Sequence, residues 1–172
     1  MNAMDRIPQA GALYIGGLRA IDKPDSLTEA GITHILSILE YDHCDYPEYA
    51  HFQRLWIRAA DSPSDDLLQH FAMTTCFIGN VLADGGTILV HCYMGVSRSA
   101  ATVCAFLMQN CGVGPRKALE MVREGRAMCG PSEEFMEQLE VWGRMLKVEG
   151  RERQEVYQKW LEGWDHGRIE KS

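Results

Sequence analysis

Thr87-Ile88-Leu89-Val90-His91-Cys92-Tyr93-Met94-Gly95-Val96-Ser97-Arg98-Ser99 is the stretch from which the fold is read. Thr87 to Val90 is a short apolar, β-branched run behind Gly85-Gly86, as expected of a strand covered on both faces. Ala100 to Met108 is rich in Ala, Leu, Phe and Met, which suits a buried helix. The loop between them holds a cysteine and an arginine six positions apart, with a glycine at Gly95. A loop running into a helix N-terminus aims several backbone N–H groups at one point, and the helix dipole adds positive charge there. Such a nest takes a phosphate-like dianion and stabilises a Cys92 thiolate. Arg98 closes over the anion with a bidentate fork. Gly95 lets the backbone curl without a Cβ in the way. Ser99 is placed to donate a hydrogen bond to the sulfur and ease its later departure.

Working outward, strands alternate with helices. Leu13–Ile15, Ile32–Leu39, Phe52–Ile57 and Thr87–Val90 read as strands. Helices are expected over Ile21–Ala30, Leu67–Ala83, from the loop to about Asn110, from Pro115 onward, and after a Ser132 cap. Residues 1–11 read as a loose lead-in. The pattern gives an α/β class: a central, largely parallel, twisted sheet of about five strands flanked by helices. Ligands of such sheets sit beyond the carboxyl ends of the strands, so the Cys92 loop and the segments 40–51 and 58–66 are expected to converge. Two units are expected, a catalytic domain over 1–149 and a helical extension or linker over 150–172. In the second, Val156, Tyr157, Trp160, Leu161 and Trp164 form a stripe at helical spacing. The stripe marks either a final helix docked on the domain or a helix that meets a partner.

The 172 residues suffice for one domain with a core, and a net charge of −7 argues against nucleic acid or an anionic membrane as partner. No apolar run is long enough to span a membrane and no signal peptide pattern opens the chain. The six cysteines, Cys44, Cys76, Cys92, Cys104, Cys111 and Cys129, include no C-x-x-C pair, which argues against a metal site. Free thiols fit a reducing compartment, cytoplasmic or nuclear.

His91-Cys92-x-x-Gly95-x-Ser97-Arg98-Ser99 resembles the signature loop of the dual-specificity branch of the cysteine-based protein phosphatases. Ala105-Phe106-Leu107-Met108 is similar to the helical stretch that follows it there, and the resemblance covers roughly residues 10–147. Leu13-Tyr14-Ile15-Gly16-Gly17, Ala30-Gly31-Ile32-Thr33 and Phe77-Ile78-Gly79 resemble the subgroup whose phosphatase domain precedes a small zinc-binding domain. That reading implies a chain stopping short of the zinc domain, and a ribosome-assembly partner beside phosphoprotein or phosphopeptide substrates. The branch implies no cofactor.

The implied reaction is hydrolysis of phosphotyrosine and phosphoserine/phosphothreonine through a phosphocysteine on Cys92. Arg98 and the amides of Tyr93, Met94, Gly95, Val96 and Ser97 hold the phosphoryl oxygens, Ser99 assists the thiolate, and His91 supports the loop. Asp61, 31 residues before Cys92 and followed by Ser62-Pro63, is similar in placement to the family's general acid. Asp65 and Asp66 compete for that role, or cap the following helix. Some relatives place an arginine for a second phosphate or a substrate acid where Arg126 stands; a solvated surface arginine is the alternative. Ser132 and Glu134 stand where relatives often carry asparagine and glycine. Tyr41, Asp42, Tyr46 and Tyr49 are expected as a selective rim. A phospho-binding scaffold is the competing function. Rhodanese-like and arsenate-reductase readings fit the Ser97-Arg98-Ser99 ending and the upstream Asp61 less well.

Overall fold

The computed structural model describes residues 2–169, with side chains through residue 164. Five strands, β1 (Met4–Arg6), β2 (Leu13–Gly16), β3 (His34–Ile38), β4 (Gln53–Ile57) and β5 (Ile88–His91), form one sheet in the order β1-β2-β5-β3-β4. β5 runs parallel to β2 and β3, and β3 parallel to β4; only the β1–β2 edge pair is antiparallel. All four residues of β5 are buried, as a central strand of a covered parallel sheet requires. The segment that follows β5 therefore leaves the carboxyl edge at the middle of the sheet.

The helices are α1 (Pro24–Glu29), α2 (Leu68–Ala83), α3 (Arg98–Cys111), α4 (Pro115–Gly125), α5 (Glu133–Met145) and α6 (Gly150–Ile169), with 3-10 turns at Leu18–Ala20 and Pro47–Tyr49. α3 is buried from Arg98 through Met108, the all-round burial its composition implies. It stops where Gly112 adopts a left-handed conformation at φ 66°. Pro115 opens α4 at a first-turn position and Ser132 caps α5, its hydroxyl accepting from Phe135 N at 3.2 Å. Phe135, Leu139 and Trp142 carry α5 onto the core, where Trp142 meets Phe71 edge-on at 6.0 Å. Full burial of each such side chain is worth about 2–3 kcal/mol. None of the described helices is long and apolar enough to cross a membrane.

Two features depart from the sequence reading. Residues 1–11 are not a loose lead-in: Met4, Asp5 and Arg6 pair with Gly16, Ile15 and Tyr14, and Ile7 is fully buried. The strand is three residues of low β-propensity, so its pairing comes from tertiary contact and not from local preference. The N-terminus of α2 is divided among more residues than a single aspartate cap. Asp66 accepts from Gln69 N at 3.1 Å, while Gln138 of α5, buried, accepts from Leu67 N at 2.8 Å and Leu68 N at 2.9 Å. Asp65 turns back instead and accepts from Ala60 N at 2.7 Å.

Helix α6 lies along α5, with Val156, Tyr157 and Trp160 half-buried against the core. The Tyr157 hydroxyl donates to the Asp66 carboxylate, and burial plus that carboxylate push the phenol above its ordinary pKa. Arg153 donates to the carbonyls of Met145 and Val148, tying the first turn of α6 to the end of α5.

Gln138 is where stability can be read directly. Gln138→Met keeps the volume but strands two buried N–H donors and the Gln138 partner at Asp65 O. The expected loss is about 2–3 kcal/mol, measured as a lower urea midpoint with an unchanged m-value.

Candidate active site

The chain between β5 and α3 is shaped by where its carbonyls go. Tyr93 O accepts from Leu18 N at 2.9 Å, Val96 O from Gly130 N at 2.9 Å, and Gly95 O from Arg126 Nε at 3.0 Å. Met94 O accepts a longer bond from Arg126 Nη2 at 3.4 Å. Four successive carbonyls thus face outward into the protein. A peptide unit carries its N–H opposite its C=O, so the amides that follow face inward. Among the described residues the N–H groups of 93–97 have no protein acceptor, and the first-turn amides of α3 point the same way. The result is a cup of donors at the positive end of a buried helix, suited to a tetrahedral oxyanion.

Backbone closeness explains Gly95 and its neighbours. Gly95 sits at φ 68°, and a Cβ there would fall 2.4 Å from the carbonyl carbon of Gly16. A Cβ on Gly17 would meet the Met94 carbonyl carbon at 2.9 Å. The end of β2 is therefore pressed backbone to backbone against the loop.

Cys92 begins the loop, only 1% exposed, with its sulfur 3.2 Å from Ser99 Oγ. Arg98 is 5% exposed; its Nη1 donates to Ala59 O at 2.9 Å, while its buried Nε has no hydrogen-bond partner among the described residues. An unmatched guanidinium donor in a dry site is costly unless a ligand accepts from it. Asp61 is exposed and reaches the loop, where Ser97 Oγ donates to its carboxylate at 2.8 Å. Ser97 Oγ also accepts from Ser132 N at 3.3 Å, so one hydroxyl links the loop, the Asp61 segment and the start of α5. The side chains of Tyr93 and Met94 stand out at 58% and 61% exposure.

The Ser97 side chain faces Asp61, so the backbone amide is the group of Ser97 left to face an anion. Other expectations change. Arg126 is not a solvated surface arginine. It is buried behind the loop, paired with Asp5 at 2.6 Å, and its remaining donors hold the carbonyls of Asn2, Met94 and Gly95. The antiparallel strand β1 brings Asp5 there, which is why the role was hidden. Tyr49 is no part of a rim: it is buried and its hydroxyl donates to Ile21 O. Asp42 is committed to Arg54 at 3.2 Å and to Cys44 N at 3.0 Å, leaving Tyr41 and Tyr46 exposed. Of the competing aspartates, Asp65 and Asp66 are held at the start of α2 and only Asp61 meets the loop.

Ser37 was missed. It is buried in β3, directly opposite His91 in the strand register, and its hydroxyl is 2.6 Å from His91 Nε2. A lone serine in an apolar run, facing a lone histidine, was the available signal. Burial drives His91 down to about 4, against a contact with the Cys92 backbone that favours the charged ring. The ring is therefore neutral at pH 7. The other buried thiols are held protonated by burial, Cys44 at about 11 and Cys129 at about 12. No group of three or more His, Cys, Asp or Glu among the described residues is placed to hold a metal ion.

Residues 13–145 match the family model for the dual specificity phosphatase catalytic domain. The chain is 37% identical over 160 residues to dual specificity protein phosphatase 22-A of Danio rerio, covering 93% of this chain and 71% of that one. It is 38% identical over 135 residues to dual specificity protein phosphatase 12 of Homo sapiens, covering 77% of this chain but 40% of that one. The crystal structure of DUSP15 superposes with a TM-score of 0.76 at 31% identity, covering 92% of this chain and 97% of that one. The chain belongs to the dual-specificity phosphatase family. Relatives bearing different names match at nearly equal identity, so these matches favour no subgroup.

The neutral His91 has a consequence for stability. Its ring is near 6.5 when unfolded and about 4 when folded, so between those values the unfolded chain binds the extra proton. Stability is complete above pH 6.5 and falls as pH drops toward 4, by up to about 1.4 kcal/mol per pH unit from this one group. Urea midpoints at steps from pH 7 to 4.5 should fall more steeply for the wild type than for His91→Asn.

Proposed function

We propose that this member of the dual-specificity phosphatase family hydrolyses phosphate monoesters on tyrosine and on serine or threonine of protein substrates, with Cys92 as nucleophile. In the first step the Cys92 sulfur, as thiolate, forms a bond to phosphorus while the P–O bond to the substrate breaks. The Asp61 carboxyl gives its proton to the departing oxygen. The equatorial oxygens lie against the loop amides and the Arg98 fork, whose hold strengthens as charge shifts in the transition state. In the second step water attacks phosphorus, Asp61 takes its proton, and the sulfur leaves as a thiolate with the Ser99 hydroxyl beside it. His91, neutral and held through Ser37, orients the loop and is spared proton transfer.

The observation that carries this reading is the meeting at one cup of a thiol, a hydroxyl 3.2 Å away, a buried guanidinium with an unmatched donor, and a carboxylate fastened to the loop. A scaffold that only holds phosphate has no use for the nucleophile and the acid together. A ribosome-assembly partner draws no support from the site. The exposed thiols Cys76 and Cys111 and the working sulfur suit a reducing compartment, so cytoplasm or nucleus belongs to the same proposal. Among the described residues no long insertion deepens the cup, which keeps both the long phosphotyrosine and the short phosphoserine within reach.

Turnover of para-nitrophenyl phosphate across pH tests the assignment. Cys92→Ser is expected to fall to the uncatalysed background. Asp61→Asn is expected to lose about 100-fold and the alkaline decline of its rate profile. Wild-type rates in Cys92→Ser would exclude the mechanism.

A further inference from the structure

Helix α6 begins at Gly150, beyond residues 13–145 that match the family model, yet its Tyr157 is bonded to the segment that carries Asp61. That segment is folded on itself. Ala60 N donates to the Asp65 carboxylate at 2.7 Å and Asp65 N to Ser62 O at 3.0 Å, so Asp61 lies inside a short loop closed by Asp65. Two successive residues then fasten the closed end. Gln138 Nε2 of α5 donates to Asp65 O at 2.9 Å, and the Tyr157 hydroxyl of α6 donates to the Asp66 carboxylate.

The hydroxyl, and not ring packing alone, is what fixes Tyr157. With Leu68, Ala72, Trp142 and Met145 the ring borders a hollow of about 310 Å³, so one side of it lacks close neighbours. A hydrogen bond to a carboxylate is among the strong and directional ones. Burial, and then the Asp66 carboxylate, push the phenol above its ordinary pKa, so it keeps the proton it donates. The other Asp66 carboxylate oxygen accepts from Gln69 N, so one side chain joins the first turn of α2 to α6.

We infer that Tyr157 is a positioning residue for the general acid: its bond to Asp66 sets the closed end of the loop and, through Asp65, where the Asp61 carboxyl stands. The inference rests on the phosphatase reading of the cup, with Asp61 as its acid. Tyr157 touches no substrate. Substrates differ in their need of Asp61: a weakly basic leaving group departs as an anion, whereas a strongly basic one requires the proton. Loss of a residue that places the acid therefore slows the second kind and spares the first.

Tyr157→Phe keeps the ring and removes the hydroxyl. Its kcat/KM, which reports the step that breaks the P–O bond, is compared with wild type on phenyl phosphate and on 2,4-dinitrophenyl phosphate. A fall of about fivefold is expected on phenyl phosphate, a fraction of what removing the acid costs, with the dinitrophenyl ester and inhibition by inorganic phosphate unchanged. Asp66→Asn, which still caps α2, should repeat the pattern, and the double variant should be no worse than the worse single one. Hydrogen exchange at the Ala60 amide should quicken in both single variants. Equal losses on the two esters, no loss on either, losses that multiply in the double variant, or unchanged exchange at Ala60 would each overturn the inference. Faster exchange at Ala60 in a protein whose wild type cleaves neither ester would count against the phosphatase reading alone and leave the coupling of α6 to the Asp61 loop supported.

Discussion

Everything at the centre of this molecule follows from the direction of four carbonyl groups. The loop after β5 can offer its amides to an anion only if the oxygens of Tyr93, Met94, Gly95 and Val96 find donors elsewhere. The donors come from three separate parts of the chain: Leu18 after β2, Arg126 after α4, and Gly130 ahead of α5. Each bond alone is worth only about 1 kcal/mol. Together they fix the amides before any ligand arrives, so little reorganisation is needed when charge develops. The buried Arg126–Asp5 pair fits this view better than a stabilising role would, since a buried ion pair adds little net stability but fixes geometry.

The same logic accounts for the uneven treatment of titratable groups. Apolar surroundings keep Cys44, Cys104 and Cys129 protonated and His91 neutral. Cys92 alone among the buried thiols stands at the mouth of an amide cup with a serine hydroxyl beside it. Ser37 partners one nitrogen of the neutral histidine, Nε2, while its buried Nδ1 has no hydrogen-bond partner among the described residues.

How much of this was legible depended on the range of the contacts. The strand–loop–helix unit with Cys92, Arg98 and Ser99 lies within thirteen residues, and its spacing suggested an anion-binding loop before any resemblance was considered. Period and capping likewise placed β5, α3, α4 and α5 closely, because Ser132, Pro115 and Gly112 act through neighbours. The bracing role of Arg126 was not legible because its partners are 31 and 121 residues away, and nothing local marks an arginine as a brace. Strand β1 was missed for a similar reason: Met-Asp-Arg has no intrinsic claim to be a strand and becomes one only against β2. Gln138 reads as an ordinary polar position on an amphipathic helix until α2 is laid beside it.

The segment bearing Asp61 brings these long-range contacts to bear on chemistry. Its residues are fastened at several points, Ala59 O by Arg98, Ala60 N by Asp65, Asp61 by Ser97, and Asp65 O by Gln138. Asp66, at its end, is held in turn by Tyr157 of α6. In the proposed mechanism the Asp61 carboxyl gives and then takes a proton at one oxygen, and such a group needs its position held to within a fraction of an ångström, since misplacement by about 1 Å can cost about 100-fold. An exposed loop alone does not supply that constancy. Here it comes from Ser97 of the loop, which holds Asp61 directly, and from α5 and α6, which hold Asp65 and Asp66 at the end of its segment.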